Sequence, residues 1–446
     1  MKKVLFIVHD NEIDPLGVMN LISNSSNAIF DILFIKESNF EDKIKEIDPK
    51  KFNIIAFSTI TGTHLFHNKI AEYFKQINNR IISIMGGPHP TFFPKEAISL
   101  LGIDYICVGE GIFAFNKFLN GIESSNIISK KTISNFSYCN LEKLADVSKI
   151  NPPDRKIVYS KDRRIENSIR NFMGSFGCPY NCSYCFNKSY HDIYNKQERV
   201  RYKEPTIFVN EIIQTIKVFE TSLIYIQDDT FITNKKWFKE VTQLIKDKIN
   251  IPYHCHIRCD ITDEIIIKTL KETGCKSVTF AVETANEEYR VNYLNRKMSN
   301  DKIIEVSQML NRYGIMFRIE NMVGLPFSSM ENDLETIKLN ARCNPTIGWA
   351  SLYQPYPNTK LGNLCTKNGL WDEDIDNINP SFFESSCLKL RNKKEIEKLQ
   401  KIFSLAVNYW LIRKVIRLLI ILPCNSMFKK VYVNFKNKMY KKLYGE

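Results

Sequence analysis

The feature that most constrains this chain is an alternation, run through twice, of short continuous apolar segments with stretches of helical spacing. VLFIV (4–8), IFDILFI (29–35), NIIAFST (53–59), RIISIMGG (80–87) and YICVGEG (105–111) are rich in Ile, Val, Leu and Phe. Strands of that composition are buried on both faces, and helical segments between them, such as 68–76, imply crossover connections. The expectation for residues 1–125 is a doubly wound parallel sheet. A second series begins at Ser168, with strands predicted at 168–174, 222–227, 252–258, 276–282, 316–322 and 348–354. Six βα units suit a partial (β/α)6 TIM-like barrel over 166–360, with its chemistry on loops at the carboxyl ends of the strands. Residues 126–165 are polar, contain Pro152 and Pro153 and end in the charged run KDRR (161–164), and are predicted to be a linker that could still pack over the site. Residues 361–446 are predicted to be a helical basic C-terminal region.

With 446 residues, 44% of them hydrophobic, the chain can bury two or three cores. The opening MKKVLFIVHD is followed by Glu12 and Asp14 without a small-residue cleavage site, so it reads as a first buried strand and not as a secretion signal. Twelve cysteines without such a signal point to a reducing cytosol, and a cytoplasmic location is expected. The net charge of +13 is localised: residues 391–446 hold 14 Lys/Arg against 3 Asp/Glu, which is +11 of it. A whole-protein nucleic-acid role is therefore not expected. Within that tail, LAVNYWLIRKVIRLLIILP (405–423) is apolar but interrupted by Arg413, Lys414 and Arg417, which argues against a membrane span. It reads first as a docking helix with a solvated basic face. The alternatives are a peripheral contact with anionic lipid and a pocket for a lipid-linked or phosphorylated substrate.

The densest chemistry lies in MGSFGCPYNCSYCFNK (173–188), where Cys178, Cys182 and Cys185 form CxxxCxxC. Thiolates are soft ligands, and the short spacing lets one loop wrap a metal centre with little closure entropy. Three ligands instead of four would leave one iron of a four-iron cube open for a further ligand. A zinc knuckle completed by His191, or three unrelated core cysteines, would give the same spacing. Spacing alone leaves iron–sulfur and zinc open.

The loop resembles the cluster-binding loop of the radical S-adenosylmethionine (SAM) superfamily, CxxxCx-aromatic-C, with Tyr184 at the aromatic position. That resemblance implies a 4Fe-4S cluster on Cys178, Cys182 and Cys185, and SAM chelated by the open iron. It also implies a series of SAM contacts at the later strand ends. In Gln227-Asp228-Asp229-Thr230-Phe231, adjacent carboxylates are costly to bury without a cation, and the methionyl ammonium of SAM would serve. Gln227 and Asp228 are the implied contacts, and Asp229 is expected to cap the helix predicted over 235–246. In His254-Cys255-His256-Ile257-Arg258-Cys259-Asp260, alternation places His254, His256 and Arg258 on one face. Arg258 stands nearest the barrel mouth, where it would offset a carboxylate. The two histidines read as satisfied interior groups, with a second metal as the alternative. Val282-Glu283-Thr284-Ala285-Asn286 resembles the family's GVESG with alanine at both flanking glycine positions, Ala281 and Ala285, and Glu283 would accept from the ribose hydroxyls. The strand carrying Arg318 and Glu320 runs into the GLP turn at Gly324, whose backbone lines the adenine in the family. Gln354-Pro355-Tyr356-Pro357-Asn358-Thr359 resembles the P-x-P-x-T turn of cobalamin-dependent members, with Tyr356 against a cofactor ring or covering the barrel end.

In the amino-terminal third, three candidate strand ends are Ser58-Thr59-Ile60-Thr61-Gly62-Thr63, Gly86-Gly87-Pro88-His89-Pro90-Thr91 and Gly109-Glu110-Gly111. Glycine there permits positive φ and close approach of backbone to a ligand, although each stretch alone is commonly just a tight turn. Together they resemble the cobalamin-binding domain that precedes the radical core in one branch of the superfamily. The implied cobalamin contacts are Ser58, Thr59, Thr61, Gly86, Gly87, His89, Gly109 and Glu110. No histidine here has an Asp-x-His-x-x-Gly neighbourhood, so cobalamin is expected base-off without a protein histidine ligand.

The resemblance as a whole implies a cobalamin-dependent radical SAM enzyme. Its first expected reaction is methylation of an unactivated carbon through a 5'-deoxyadenosyl radical, with cyclisation or rearrangement on the same cofactors as the alternative. A small-molecule, peptide or lipid-linked substrate and an external electron donor of flavodoxin or ferredoxin type are the implied partners. A methylthiotransferase would need amino-terminal cysteines for a second cluster, and only Cys107 and Cys139 precede the main loop. A non-catalytic cobalamin sensor would have no use for the four later strand ends. No catalytic acid or base is assigned.

Overall fold

Five apolar residues in succession, Val4 to Val8, are buried on both faces of strand β1 (Lys2–His9), as an interior strand of a covered sheet requires. The structure is a computed structural model that describes residues 1–10, 13–161, 168–194, 197–423 and 426–444. It divides into two compact units, Met1–Asn167 with Tyr190–Glu198, and Ser168–Ser189 with Arg199–Glu446.

In the first unit β1 is joined by β2 (Ala28–Ile35), β3 (Ile54–Ser58), β4 (Ile82–Gly86), β5 (Tyr105–Cys107) and β6 (Ile127–Ser129) in the order β2-β1-β3-β4-β5-β6. The first five are parallel, and β6 is antiparallel to β5. This is the doubly wound sheet that continuous apolar runs predict. Helices α1 (Leu16–Ser23), α2 (His64–Ile77) and α3 (Ile112–Leu119) make three of its connections. The stretch predicted as a linker is instead tied into this unit. It supplies β6, Tyr138 Oη donates to Thr91 O at 2.8 Å, and Tyr159 Oη donates to Asp14 at 2.7 Å. Of the run KDRR, Lys161 pairs with Asp31 at 2.8 Å, and positions 162–164 lie outside the described residues.

The second unit is built on six parallel strands, β7 (Ile169–Phe172), β10 (Leu223–Ile226), β11 (Tyr253–His256), β12 (Cys275–Glu283), β13 (Met316–Val323) and β14 (Ile347–Leu352). A short hairpin of β8 (Ser175–Phe176) and β9 (Arg201–Tyr202) lies between the first two in sequence. The spatial order, β14-β13-β12-β11-β10-β7, follows the chain without a swap, and no pairing among the described residues closes β7 onto β14. Crossovers α4 (Pro205–Val218), α5 (Lys235–Lys248), α6 (Glu264–Glu272), α7 (Asn300–Arg312) and α8 (Met330–Cys343) join successive strands. Alternation sorts the side chains: Val278, Phe280 and Val282, with Phe317 and Ile319, join the core between sheet and helices. The intervening residues face the inside of the curve, where Ser277 and Thr279 receive His254.

The region 361–446 belongs to the same unit. Helix α9 (Lys393–Asn408) buries Leu399, Phe403 and Ala406 with Ile337 and Leu352. Helix α10 (Trp410–Ile421) adds Ile416 and Ile420 to that cluster. Helix α11 (Ser426–Tyr444) ends by burying Leu443 and Tyr444 with Leu223 and Ile347, so the last turn of the described chain plugs the sheet's inner face. No helix among the described residues is long and apolar enough to cross a membrane.

Candidate active site

The loop after β7 carries the three cysteines, and its own backbone fixes it. Cys185 N bonds Cys182 O at 3.1 Å, Ser183 N bonds Leu294 O at 3.1 Å, and Leu361 N bonds Ser183 O at 2.9 Å. Ser183 Oγ also donates to Tyr293 O. The loop is thus seated on the segment that follows β12. Cys182 is buried, and Cys178 and Cys185 are partly exposed. Burial pushes the Cys178 thiol up to about 11 and that of Cys185 up to about 12, so both stay protonated at neutral pH until a metal displaces the proton. Among the described residues no three His, Cys, Asp or Glu side chains converge on a single-ion position.

Two guanidinium groups flank Cys182. Arg258 Nη1 lies 3.8 Å and Arg296 Nη1 3.7 Å from its sulfur. Arg258 is held by Asp260 at 2.7 Å and stacks over the Tyr180 ring at 3.6 Å. Burial works against the Arg296 charge, but Tyr184, Glu283 and Cys182 outweigh it and keep the side chain protonated. A cationic cradle of this kind suits an anionic thiolate-bound cluster. Arg296 was not foreseen from the sequence, where it sits in an unremarkable NRK run. Its role exists only because the turn after β12 folds back under the cysteine loop.

Glu283 closes β12 in the left-handed region at φ 71°, beyond a register shift between Ala281 and Glu283 against β13. A β-bulge with a non-glycine residue at positive φ costs on the order of 1–3 kcal/mol and is typically retained where a side chain must be aimed. Tyr184 Oη donates to Glu283 Oε1 at 2.5 Å, and Arg296 donates to Tyr184 at 3.1 Å while lying 3.7 Å from the carboxylate. Burial raises the Glu283 pKa, against Arg296 and Tyr184, which lower it. The structure therefore brings Tyr184, Glu283 and Arg258 together around Cys182 and Arg296.

Other predicted contacts are placed differently. Asp228 is fully buried: Oδ1 accepts from Gly174 N at 2.7 Å and Oδ2 from Ser175 Oγ at 2.5 Å. Burial lifts its pKa to about 7. Both oxygens are used to hold the entry to the cysteine loop, because the alternation of Ile224 and Ile226 carries Asp228 to the helix side of the sheet. Asp229 is the exposed carboxylate, and it does not cap the following helix. Asn234 does that, accepting from Trp237 N at 3.1 Å. Gln227 is half-buried and donates to Asn171 at 2.6 Å. Arg318 pairs with Glu320 at 2.6 Å and donates to Tyr444 Oη at 3.1 Å, on the plugged inner face. Gly324 has φ 69°, a conformation that favours glycine, and a Cβ there would stand 3.0 Å from Ile396 of α9. Tyr356 is half-buried, packs edge-on to Phe382 and accepts from Thr359 through its carbonyl at 2.6 Å. The strand-three histidines are satisfied as expected. His254 contacts Ser277 at 2.7 Å and Thr279 at 3.1 Å, and His256 contacts Tyr225 at 3.2 Å.

In the first unit the predicted strand ends lie at the carboxyl edge of the sheet. Thr59 N bonds Gly86 O at 2.8 Å, and His89 N bonds Thr59 O at 3.0 Å. Gly87 has φ 100°, and a Cβ there would stand 2.8 Å from Thr59 O. His89 is buried, its ring stacked on His64 at 4.0 Å and its Nδ1 3.2 Å from Thr61 Oγ1, and its Nε2 has no protein partner. His67 is bonded through Nδ1 to Thr59 Oγ1 at 2.8 Å, with Nε2 likewise unpartnered. Burial lowers both imidazoles to about 3, so they are neutral. Ser58 is exposed at the same edge. A buried nitrogen left unmatched costs about 1–3 kcal/mol, and a ligand rimmed with amides, which both donate and accept, recovers it in either tautomer. Hydroxyls, neutral imidazoles and a glycine turn fit the amide-edged corrin of cobalamin. Gly109 and Glu110 have a structural use as well. Glu110 N donates to Tyr194 Oη at 2.7 Å, a Cβ on Gly109 would overlap that hydroxyl, and Glu110 Oε2 accepts from Ala145 N at 2.5 Å.

Comparison with known proteins places both units. Residues 174–339 match the radical SAM superfamily model and residues 2–119 match the B12 binding domain. The uncharacterized methyltransferase PH0819 of Pyrococcus horikoshii is 25% identical over 351 residues, 73% of this chain and 72% of the relative. The anaerobic magnesium-protoporphyrin IX monomethyl ester cyclase of Rubrivivax gelatinosus is 22% identical over 343 residues, 72% of this chain but only 60% of its own length. The fold is shared with the radical SAM methyltransferase TsrM of Kitasatospora setae, solved with cobalamin and a 4Fe-4S cluster. The TM-score is 0.66 at 14% identity, covering 82% of this chain and 78% of that one. The chain therefore carries an amino-terminal B12 binding domain followed by a radical SAM superfamily domain.

Proposed function

We propose that this cobalamin-dependent radical SAM enzyme transfers a methyl group from SAM to an unactivated carbon of its substrate. The observation that carries the reading is Cys182 held between Arg258 and Arg296, with Glu283 and Tyr184 bonded to the same Arg296. When bound, the cluster, SAM and cobalamin would supply a 5'-deoxyadenosyl radical and a methyl carrier. The chain's own part is to hold them and exclude competing chemistry. Cys178, Cys182 and Cys185 would ligate three irons. Arg258 and Arg296 offset the negative charge there. Glu283, aimed by its bulge, would accept from the ribose hydroxyls, and Gln227 with Asp229 would receive the methionyl ammonium. In the first unit, Ser58, Thr59, Thr61, Gly87 and His89 would contact cobalamin, with Gly86, Gly109 and Glu110 shaping that edge.

The methyltransferase relative supports methylation, and the cyclase relative supports ring closure on the same parts as the second reading. The substrate is a small molecule in this proposal, and a one-electron donor of flavodoxin or ferredoxin type would reduce the cluster. The test is anaerobic reconstitution with iron, sulfide, cobalamin, SAM and reductant, followed by chromatography of the SAM products. Methylation predicts both S-adenosylhomocysteine and 5'-deoxyadenosine, and Cys182→Ala yields neither. Deoxyadenosine alone would favour the cyclase reading, and formation of both by the Cys182 variant would sink the assignment of the loop.

A further inference from the structure

Helix α10 is apolar on two faces and only one of them is covered. Ile416 and Ile420 are buried against α9, with Ile412 and Leu419 packed beside them. On the opposite face Leu411, Val415 and Leu418 recur at i, i+4 and i+7 and are 61, 44 and 64% exposed, and Leu422, just past the end of the helix, is 49% exposed. Trp410 and Ile421 extend the stripe along one edge at 55 and 65%. Folded monomers rarely expose a contiguous run of six large apolar side chains, and such a patch marks an interaction surface.

The charge around the patch selects the partner. Helix α10 has Arg413, Lys414 and Arg417 and no acidic residue. The surrounding residues 391–446 carry 14 Lys/Arg against 3 Asp/Glu. The Lys414 ammonium rests over the Trp410 ring at 4.3 Å, at the border of the apolar stripe. A long stem lying along apolar surface with its charge at the rim is the arrangement that lets lysine reach phosphate headgroups while its neighbours enter the acyl boundary. Arg417 is paired with Glu331 on α8, which anchors one flank to the body of the unit. A two-fold contact between copies would bring this basic segment against itself, and like charge opposes that pairing. With 12 residues α10 is about 18 Å long, too short to span a bilayer but suited to lie along its surface.

We propose that the exposed face of α10 is a docking surface for an anionic phospholipid bilayer, with Leu411, Val415, Leu418 and Leu422 entering the headgroup boundary and the adjacent lysines and arginines meeting the phosphates. It places the protein at a lipid surface, and it stands independently of the reaction catalysed.

The experiment is flotation of the purified full-length protein with vesicles of phosphatidylcholine alone or of phosphatidylcholine mixed with phosphatidylglycerol. Partitioning is expected to be roughly tenfold or more stronger on the anionic vesicles in about 0.1 M salt and to be lost in about 1 M salt. Trp410 emission should shift to the blue and be quenched by brominated acyl chains, a response absent from Trp410→Phe. The double variant Leu411→Glu/Leu418→Glu should lose partitioning by roughly tenfold or more while keeping the wild-type thermal melting curve. The wild-type salt response decides the matter if that variant does not fold. Equal partitioning on neutral and anionic vesicles, or none on either, would overturn the proposal. So would a lipid-free dimer, seen by light scattering, that the double variant dissolves.

Discussion

Tyr184, from the cysteine loop, donates to Glu283, the last residue of β12, at 2.5 Å, and this bond joins the metal-binding loop to a backbone position held at φ 71°. The pair couples two events that sequence separates by almost a hundred residues: placement of the loop and orientation of the carboxylate. Glu283→Gln keeps the volume and an oxygen for Tyr184 but removes the charge beside Arg296. A hydrogen bond to a charged group is worth about 1.5–3 kcal/mol, so SAM affinity is expected to fall roughly 10- to 100-fold. Tyr184→Phe, which leaves the carboxylate in place, should cost roughly tenfold or less. Equilibrium dialysis of the reconstituted proteins measures both, and unchanged affinity in the Glu283 variant would remove it from the SAM site.

Arg258 and Arg296 stand 3.8 and 3.7 Å from the Cys182 sulfur, and a positive charge there stabilises the reduced, more negative state of a bound cluster. At an effective dielectric near 20 a unit charge at about 5 Å contributes roughly 3 kcal/mol, the upper end of what its removal can change. Arg258→Gln is therefore expected to lower the midpoint potential by roughly 50–150 mV. Redox titration followed by EPR reads the shift. A potential that stays put or rises would mean that the Asp260 partner already neutralises Arg258.

The alternation of apolar runs was enough to locate eleven of the strands that matter, because a strand buried on both faces leaves an unbroken signature. The cysteine loop and Glu283 were legible for a different reason: the chemistry of each is local to its motif. Arg296 was not legible, since its use depends on the turn after β12 returning under the loop. The exchange between Asp228 and Asp229 was legible in principle. Continuing the inward–outward period of Ile224 and Ile226 puts Asp228 on the helix side, but a pair of adjacent carboxylates invites attention to its charge before its phase. The region 126–165 misled by composition, because polar, proline-containing chain can still be pinned by side-chain bonds such as those of Tyr138 and Tyr159.

Asp228 and Asp333 are both fully buried, and burial raises each to about 7 from 3.8. Asp333 accepts from Gly324 N at 3.2 Å through Oδ2, while its Oδ1 has no partner. Between about pH 4 and 7 the folded chain retains protons that the unfolded chain has released, so stability falls as pH rises through that window. The penalty is complete above about 7 and absent below about 4. Asp333→Asn cannot ionise, and its loss of stability between pH 5 and 8 should be smaller than that of wild type by about 1–3 kcal/mol. Urea midpoints across that range test it, and parallel pH profiles would show that Asp333 does not titrate in the window.

The end of α11 is the least anticipated part of the second unit, and its removal gives a graded test. Tyr444 accepts from Arg318 Nη1 at 3.1 Å, and its ring lies 5.2 Å from His254 and 5.6 Å from Tyr225. Leu443 is fully buried with Leu223 and Ile347. Tyr444→Phe removes only the hydroxyl, leaving Arg318 with Glu320, and should cost about 1–2 kcal/mol. Leu443→Ala opens a cavity under the first residues of β10 and β14 and should cost about 2–4 kcal/mol. Truncation after Lys438 removes both anchors and exposes the Arg318–Glu320 pair to water, so its cost should exceed either substitution. Urea denaturation orders the three. If the truncated chain is as stable as wild type, α11 does not plug the sheet in solution, and Arg318 and Glu320 then face an open interior.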